Sequence, residues 1–400
     1  MGFSPFTSLR MAPRDPILGL NEAFAADPRP NKVNLGVGVY FDDDGRIPLL
    51  SSVRRAEEAL VEAHAARGYL PIDGIARYNA AVQRLLFGAD SAAVADGRVV
   101  TVQTLGGTGA LKVGADLLCR TQPAAGAWIS DPSWENHRAL FEAAGFEVAT
   151  YPYYDPVTRG VRFEAMMAAL EALAPSSVVV LHACCHNPTG VDLDAAQWDA
   201  VVRVCESRRL VPFLDIAYQG FGDGIEPDAE AVRRFTAAGL DLLVSSSFSK
   251  SFSLYGERVG ALSIVTQERD EAARVLSQLK RVVRTSYSNP PTHGGALVTA
   301  VLESVELRAL WERELAGMRD RIRAMRAGLL ERLRQRETGH DFSFISRQRG
   351  MFSYSGLNAA QVDRLRDEYG IYAVASGRIC VAALNSRNID AVADAIAAVL

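Results

Sequence analysis

The sequence predicts an α/β fold: a large domain with a mostly parallel, seven-stranded sheet, joined to a smaller α+β domain. Three observations carry this. Between about residues 98 and 265, short runs rich in Val, Ile and Leu alternate with helical patterns, the rhythm of parallel strands joined by crossover helices. Several runs are apolar throughout rather than alternating, as strands buried on both faces are. After Gly339 the rhythm changes to shorter strands and helices. The chain of 400 residues, 48% of them apolar, is long enough for one sizeable core and a second, smaller one.

In chain order, residues 1–15 read as an extended arm, because Pro5 and Pro13, with Pro16 just beyond, discourage regular structure. A short helix is expected over 16–26 and a strand-like run over 33–40. Helices follow over 52–67 and 75–87, separated by a loop that carries Tyr69. Strands are expected at 98–103, 127–130, 147–153, 177–184, 211–216, 240–245 and 259–265. Residues 269–335 read as long helices broken at Tyr287-Ser288-Asn289-Pro290-Pro291. Beyond them come strands at 342–345, 350–355 and 379–383 and helices at 359–369 and 389–400. The expected organisation is an N-terminal arm with part of the small domain (1–45), a large domain (46–315) and a small C-terminal domain (316–400).

A net charge of −4 gives no basis for binding nucleic acid or a membrane surface. No apolar stretch is long enough to span a bilayer, and the start lacks a basic segment followed by an apolar one. Cys119, Cys184, Cys185, Cys205 and Cys380 are odd in number and lack paired metal-ligand spacing. Free thiols in a reducing cytoplasm are expected, and no metal site.

Chemistry concentrates just beyond the strand ends, where open α/β sheets bind ligands. Lysine is scarce, with only Lys32, Lys112, Lys250 and Lys280 against abundant arginine. Lys250 lies in a serine-rich turn between apolar runs, with Arg258 eight residues on. An ε-amine can lose its proton and condense with an aldehyde, which a guanidinium cannot. The serines and Arg258 would meet a phosphate, so the stretch describes a lysine suited to pyridoxal phosphate. The glycine-rich turn 104–110 precedes a helix whose N-terminus favours an anion. Asn187, ahead of Pro188, is turned away from helical backbone. Asp215 sits inside an apolar strand, a costly place unless a cation pairs with it. The pyridinium nitrogen of pyridoxal phosphate is such a cation, and Tyr218 could reach the ring's phenolic oxygen. Arg284 and Arg378 suit substrate carboxylates.

Together, GGTGA (106–110), DPSWENH (131–137), CCHNPTG (184–190), DIAYQGFG (215–222), SFSKSFSLYGERVG (247–260), YSNPP (287–291), GMFSYSG (350–356) and YAVASGRI (372–379) resemble the class I, fold type I pyridoxal-phosphate aminotransferases. The likeness is to the aspartate and aromatic branch and covers essentially the whole chain. It implies that Lys250 holds the cofactor covalently and moves the substrate α-proton. Asp215 would pair with the pyridine nitrogen, His137 standing behind it. Tyr218 and Asn187 would hold the ring oxygen, and Trp134 would stack on the ring. Gly107, Thr108, Ser247, Ser249 and Arg258 would bind the phosphate, joined by Tyr69 of a partner chain. Arg378 would take the α-carboxylate, with Gly38, Trp134, Asn187 and Phe352 nearby. Arg284, reaching across from the partner, would take a distal carboxylate, so the resemblance implies a two-fold homodimer with shared sites.

The implied reaction is ping-pong transamination between an amino acid and a 2-oxo acid, 2-oxoglutarate being the expected acceptor. Phe41, Ile47 and Leu70-Pro71 favour an aromatic donor (tyrosine, phenylalanine or tryptophan), with aspartate and glutamate also accepted. Val39, Thr108 and Asn289 look more like aspartate enzymes, so a narrow aspartate aminotransferase is the alternative. A β-eliminating lyase or decarboxylase shares the cofactor but has no use for two carboxylate-binding arginines. A silent regulatory homologue would need a DNA-binding extension, for which residues 1–30 are too short.

Overall fold

The computed structural model describes residues 4–12, 17–122 and 124–400. Pro13 and Pro16 lie outside the described residues, and the expected helix over 16–26 is seen as Leu18–Ala26. The large sheet has seven strands: β1 (Val99–Leu105), β2 (Ala127–Asp131), β3 (Val148–Pro152), β4 (Val178–His182), β5 (Val211–Ile216), β6 (Leu242–Ser247) and β7 (Val259–Val265). Their spatial order is β1-β7-β6-β5-β4-β2-β3. β7 runs antiparallel to β1 and β6, and every other neighbouring pair is parallel. The sheet is mostly parallel, as the uninterrupted apolar runs require.

Successive side chains in the central strands enter opposite cores. Leu181, Leu214, Ile216 and Val244 join one apolar cluster, while Val180, Phe213 and Leu243 join the other. Burial on both faces fixes the register, since a one-residue slip would exchange the two sets. That register aligns His182 with Asp215 and Asp215 with Ser245 across three adjacent strands. The polar residues at the strand ends are therefore brought side by side by apolar packing farther down the same strands.

Four expectations change. Residues 342–345 form no strand; a 3-10 turn spans Ser343–Arg347. Asp341 accepts hydrogen bonds from the Ser343 N–H (2.7 Å) and hydroxyl (2.8 Å), starting a turn instead of a ladder. The expected strand at 33–40 shrinks to Val33–Asn34, paired in parallel with Ile371–Tyr372. The helix expected to reach 67 ends at Glu62, and His64 takes a left-handed φ of 45°. Phe352–Tyr354 pairs antiparallel with Arg378–Cys380, whose chain continues as a 3-10 turn over Val381–Ala383. Helix Val305–Gln335 runs unbroken for 31 residues, so the proposed boundary at 315 falls within one rod. No helix among the described residues is long and apolar enough to cross a membrane.

Candidate active site

The strand ends open onto a cavity of about 190 Å³. It is lined by Gly38, Gly107, Thr108, Trp134, Asn187, Asp215, Tyr218, Ser247, Ser249, Lys250, Arg258, Phe352 and Arg378. All of these were singled out from the sequence. His137 lies directly behind, fully buried. Ile17, Leu111, His182 and Ala217 complete the lining. Leu111 falls one turn beyond Thr108 and could have been found by helical spacing. Ile17 carries no signal, because its place depends on packing far along the chain.

At one end of the cavity, Asp215 is 5% exposed, and its Oδ2 lies 3.2 Å from His137 Nε2. The other ring nitrogen of His137 meets Ser133 Oγ at 2.9 Å. Burial pushes the Asp215 carboxyl up, but the His137 hydrogen bond and charge, with Lys250 farther off, bring it below its ordinary value. It is thus ionised and aimed into the cavity. His182 is held neutral, its pKa driven down to about 3 by burial and by the neighbouring His137. Ligand atoms of His137, His182 and Asp215 lie within 4.8 Å of one another, so a carboxylate and neutral imidazole nitrogen cluster where a ring cation would be met.

Lys250 follows β6 and projects over the Tyr218 ring, its Nζ 4.9 Å from the centroid. Burial lowers the amine to about 8, against the pull of Asp215 and with the help of Arg258. An appreciable fraction is then unprotonated near neutrality, as an amine that attacks a carbonyl must be. Burial pushes the Tyr218 phenol up, keeping it a hydrogen-bond donor.

Elsewhere on the cavity wall, helix Gly106–Thr121 begins directly from β1, which places Gly107 and Thr108 of its first turn in the lining. Gly106 has φ +68°, and a side chain there would strike the Arg258 guanidinium. Arg258 Nη1 donates to Ser249 Oγ (3.3 Å) and the Tyr255 carbonyl (3.1 Å). Ser247 Oγ accepts from the Ser249 N–H at 3.3 Å. Two hydroxyls, a guanidinium and a helix N-terminus converge on one point.

Arg378 is only 1% exposed. Its Nη1 donates to Asn187 Oδ1 (3.0 Å) and its Nη2 to the Gly36 carbonyl (2.6 Å). Its guanidinium lies 4.3 Å from the Phe352 ring centroid. The Nε is buried without a partner among the described residues, an omission that costs about 1–3 kcal/mol until an acceptor arrives. Because Asn187 spends its oxygen on Arg378, its amide nitrogen is free to donate into the cavity.

Residues 30–396 match the family model for class I and II aminotransferases. The chain belongs to that family. An aspartate aminotransferase of Pseudomonas aeruginosa is 65% identical over 397 residues, spanning 99% of this chain and 100% of the relative. The aromatic-amino-acid aminotransferase of Escherichia coli K12 is 55% identical over 96% of this chain and 98% of its own. A crystal structure of an aromatic-amino-acid aminotransferase from Burkholderia pseudomallei, covalently bound to pyridoxal phosphate, superposes with a TM-score of 0.98. It is 71% identical, with 100% of both chains covered.

The aminotransferase cofactor is pyridoxal 5′-phosphate, and this donor set fits it. Asp215 suits the ring nitrogen, Lys250 the aldehyde carbon, Tyr218 and Asn187 the ring oxygen, and the Arg258 cluster the phosphate. Two residues stand apart from the cavity. Tyr69 is 95% exposed, and Arg284 is an exposed residue on the last turn of helix Arg269–Ser286, bonded to Ser288 Oγ. Phe41 and Ile47 also depart from expectation. Phe41 lines a separate groove with Phe24 and Arg387, and Ile47 is an exposed apolar residue. The apolar wall of the cavity comes instead from Ile17, Leu111, Trp134 and Phe352.

Proposed function

We propose that this aminotransferase exchanges the amino group of tyrosine, phenylalanine or tryptophan with 2-oxoglutarate by a ping-pong route, and also accepts aspartate and glutamate. The observation that carries the reading is the unpartnered Nε of buried Arg378, a residue that lines the cavity beside an apolar wall. The cofactor, when bound, supplies the electron sink that stabilises negative charge at the substrate α-carbon. Arg378 binds and orients the α-carboxylate through charge-assisted hydrogen bonds. Lys250 Nζ then takes the α-proton, and its lowered basicity lets it release that proton again at neutral pH. Asp215 holds positive charge at its end of the cavity, and His137 fixes the carboxylate's direction. Trp134, Leu111 and Phe352 exclude water and offer an aromatic side chain the apolar contact it gains from burial, about 25 cal/mol per Å².

The distal carboxylate of aspartate or glutamate needs a cation beyond Lys250, Arg258 and Arg378, and the described residues that line the cavity of one chain include no other. Arg284 supplies it in our reading, from the second subunit of a two-fold homodimer, with Tyr69 reaching the partner's phosphate site. All five cysteines are free, which fits a reducing, cytoplasmic setting. A narrow aspartate aminotransferase is the second reading, favoured by the name of the Pseudomonas aeruginosa relative. Mixing the pyridoxal form with phenylalanine, and separately with aspartate, distinguishes the two. Loss of the bound cofactor's visible absorbance with both is expected; loss with aspartate alone would establish the narrow enzyme.

A further inference from the structure

Helix Val305–Gln335 carries a guanidinium that none of the chemistry above uses. Arg326 is 4% exposed and forms no ion pair with a carboxylate among the described residues. Its partners are neutral: Nη2 donates to the carbonyls of Gly350 (2.6 Å) and Phe352 (3.2 Å), and Nε to Ser353 Oγ (3.3 Å). Burial, with Arg323 nearby, lowers its pKa to about 10. A charge placed in the interior without a counter-charge is costly, so its neighbours must gain something from its fork of donors.

Those neighbours belong to the segment 350–353, whose Phe352 lines the cavity beside Arg378. The Phe352 ring lies 4.3 Å from the Arg378 guanidinium and meets Tyr218 edge-on at 5.8 Å. It also closes over Gly38, where an added Cβ would come within 2.7 Å of the ring. The backbone of the same segment pairs with the strand that carries Arg378, Tyr354 opposite Arg378 itself. The guanidinium reaches both carbonyls from Nη2 and the Ser353 hydroxyl from Nε, a planar spread of donors that a single ammonium does not reproduce with the same fixed geometry.

We propose that Arg326 is a positioning residue for the α-carboxylate site. By fixing the backbone of 350–353 from behind, it holds Phe352 against Arg378 and keeps that guanidinium's free edge turned toward the substrate. The proposal rests on reading Arg378 as the carboxylate-binding residue. It predicts that Arg326 sets the affinity for every substrate alike, since all share the α-carboxylate, while leaving cofactor retention intact.

The test uses the holoenzyme and 3-phenylpropanoate, which offers a ring and a carboxylate but no amine, with binding measured by calorimetry. Arg378→Leu should abolish binding; if it does not, the reading of Arg378 fails and Arg326 is not the cause. With that control in place, Arg326→Met should weaken binding about tenfold and Arg326→Lys about threefold. KM for phenylalanine and 2-oxoglutarate should rise together, with kcat at saturation nearly unchanged. Should Arg326→Met fail to fold, Arg326→Lys combined with Phe352→Leu decides: residues acting through one another give non-additive losses. Wild-type affinity in the Arg326 variants, or additive losses in the pair, would overturn the proposal even if the melting temperature fell.

Discussion

Within the cavity, the groups that we propose meet the substrate and cofactor are fixed by the chain's own packing. Arg378 is gripped by Asn187 and Gly36 and backed by Phe352. Asp215 is gripped by His137, which is gripped in turn by Ser133. Arg284 and Tyr69, by contrast, stand on the surface apart from that cavity, and Arg284's hydrogen bond is to its near neighbour Ser288. A buried guanidinium with an open edge is preorganised for a carboxylate. An exposed one is not, and it acquires that role only when another surface encloses it. The contrast separates a proximal half-site built within one chain from a distal half-site that we propose a second chain completes.

Three substitutions sharpen the contrast. The largest loss is expected from Lys250→Ala, which in our proposal removes both the covalent attachment and the proton carrier. Turnover should fall by about a thousandfold or more, and the visible band of covalently bound cofactor should vanish; retained turnover would contradict the site. A pH series on the wild type bears on the same amine. Its pKa near 8 means the neutral, reactive form grows as pH rises toward that value. The rate at which the apo-enzyme takes up pyridoxal phosphate should climb to about pH 8 and then level off, whereas an ordinary lysine would keep climbing beyond pH 10.

Arg378→Leu comes next, with kcat/KM reduced on the order of a hundredfold for phenylalanine and aspartate alike, as expected from lost charge-assisted bonds. Arg284→Leu should be smaller and selective: about tenfold or more for aspartate, under about threefold for phenylalanine. Equal losses with both substrates would erase the distinction between the two half-sites.

How much was legible in the sequence follows the same division. β5 and β7 were bounded to the residue, because an apolar run ending in a polar turn is a local signal. The lysine turn and Asp215 were legible for a related reason, each being chemically out of place in its surroundings, whereas Arg378, one of many arginines, was singled out by the family resemblance. Ile17 was not legible, since only folding brings residues from the start of the chain to the cavity at the strand ends. Phe41 and Ile47 were placed at the pocket edge by the family resemblance and read as favouring an aromatic donor from their apolarity, yet apolar character does not say which groove a side chain faces. The false strand at 342–345 shows the same gap: Phe342, Phe344 and Ile345 are buried, but no neighbouring strand is there to pair with them.

The most direct test of the proximal and distal division mixes two disabled enzymes. Arg378→Leu and Arg284→Leu subunits, each poor with aspartate, are dissociated, combined in equal amounts and allowed to reassociate. If Arg284 serves the partner's cavity, half of the dimers are hybrids, and each hybrid holds one cavity with both arginines intact. Aspartate turnover should then return to roughly a quarter of the wild-type value. No recovery, in a mixture shown to contain hybrids, would mean that Arg284 acts within its own chain or not at all, and the proposed division of the site would fall.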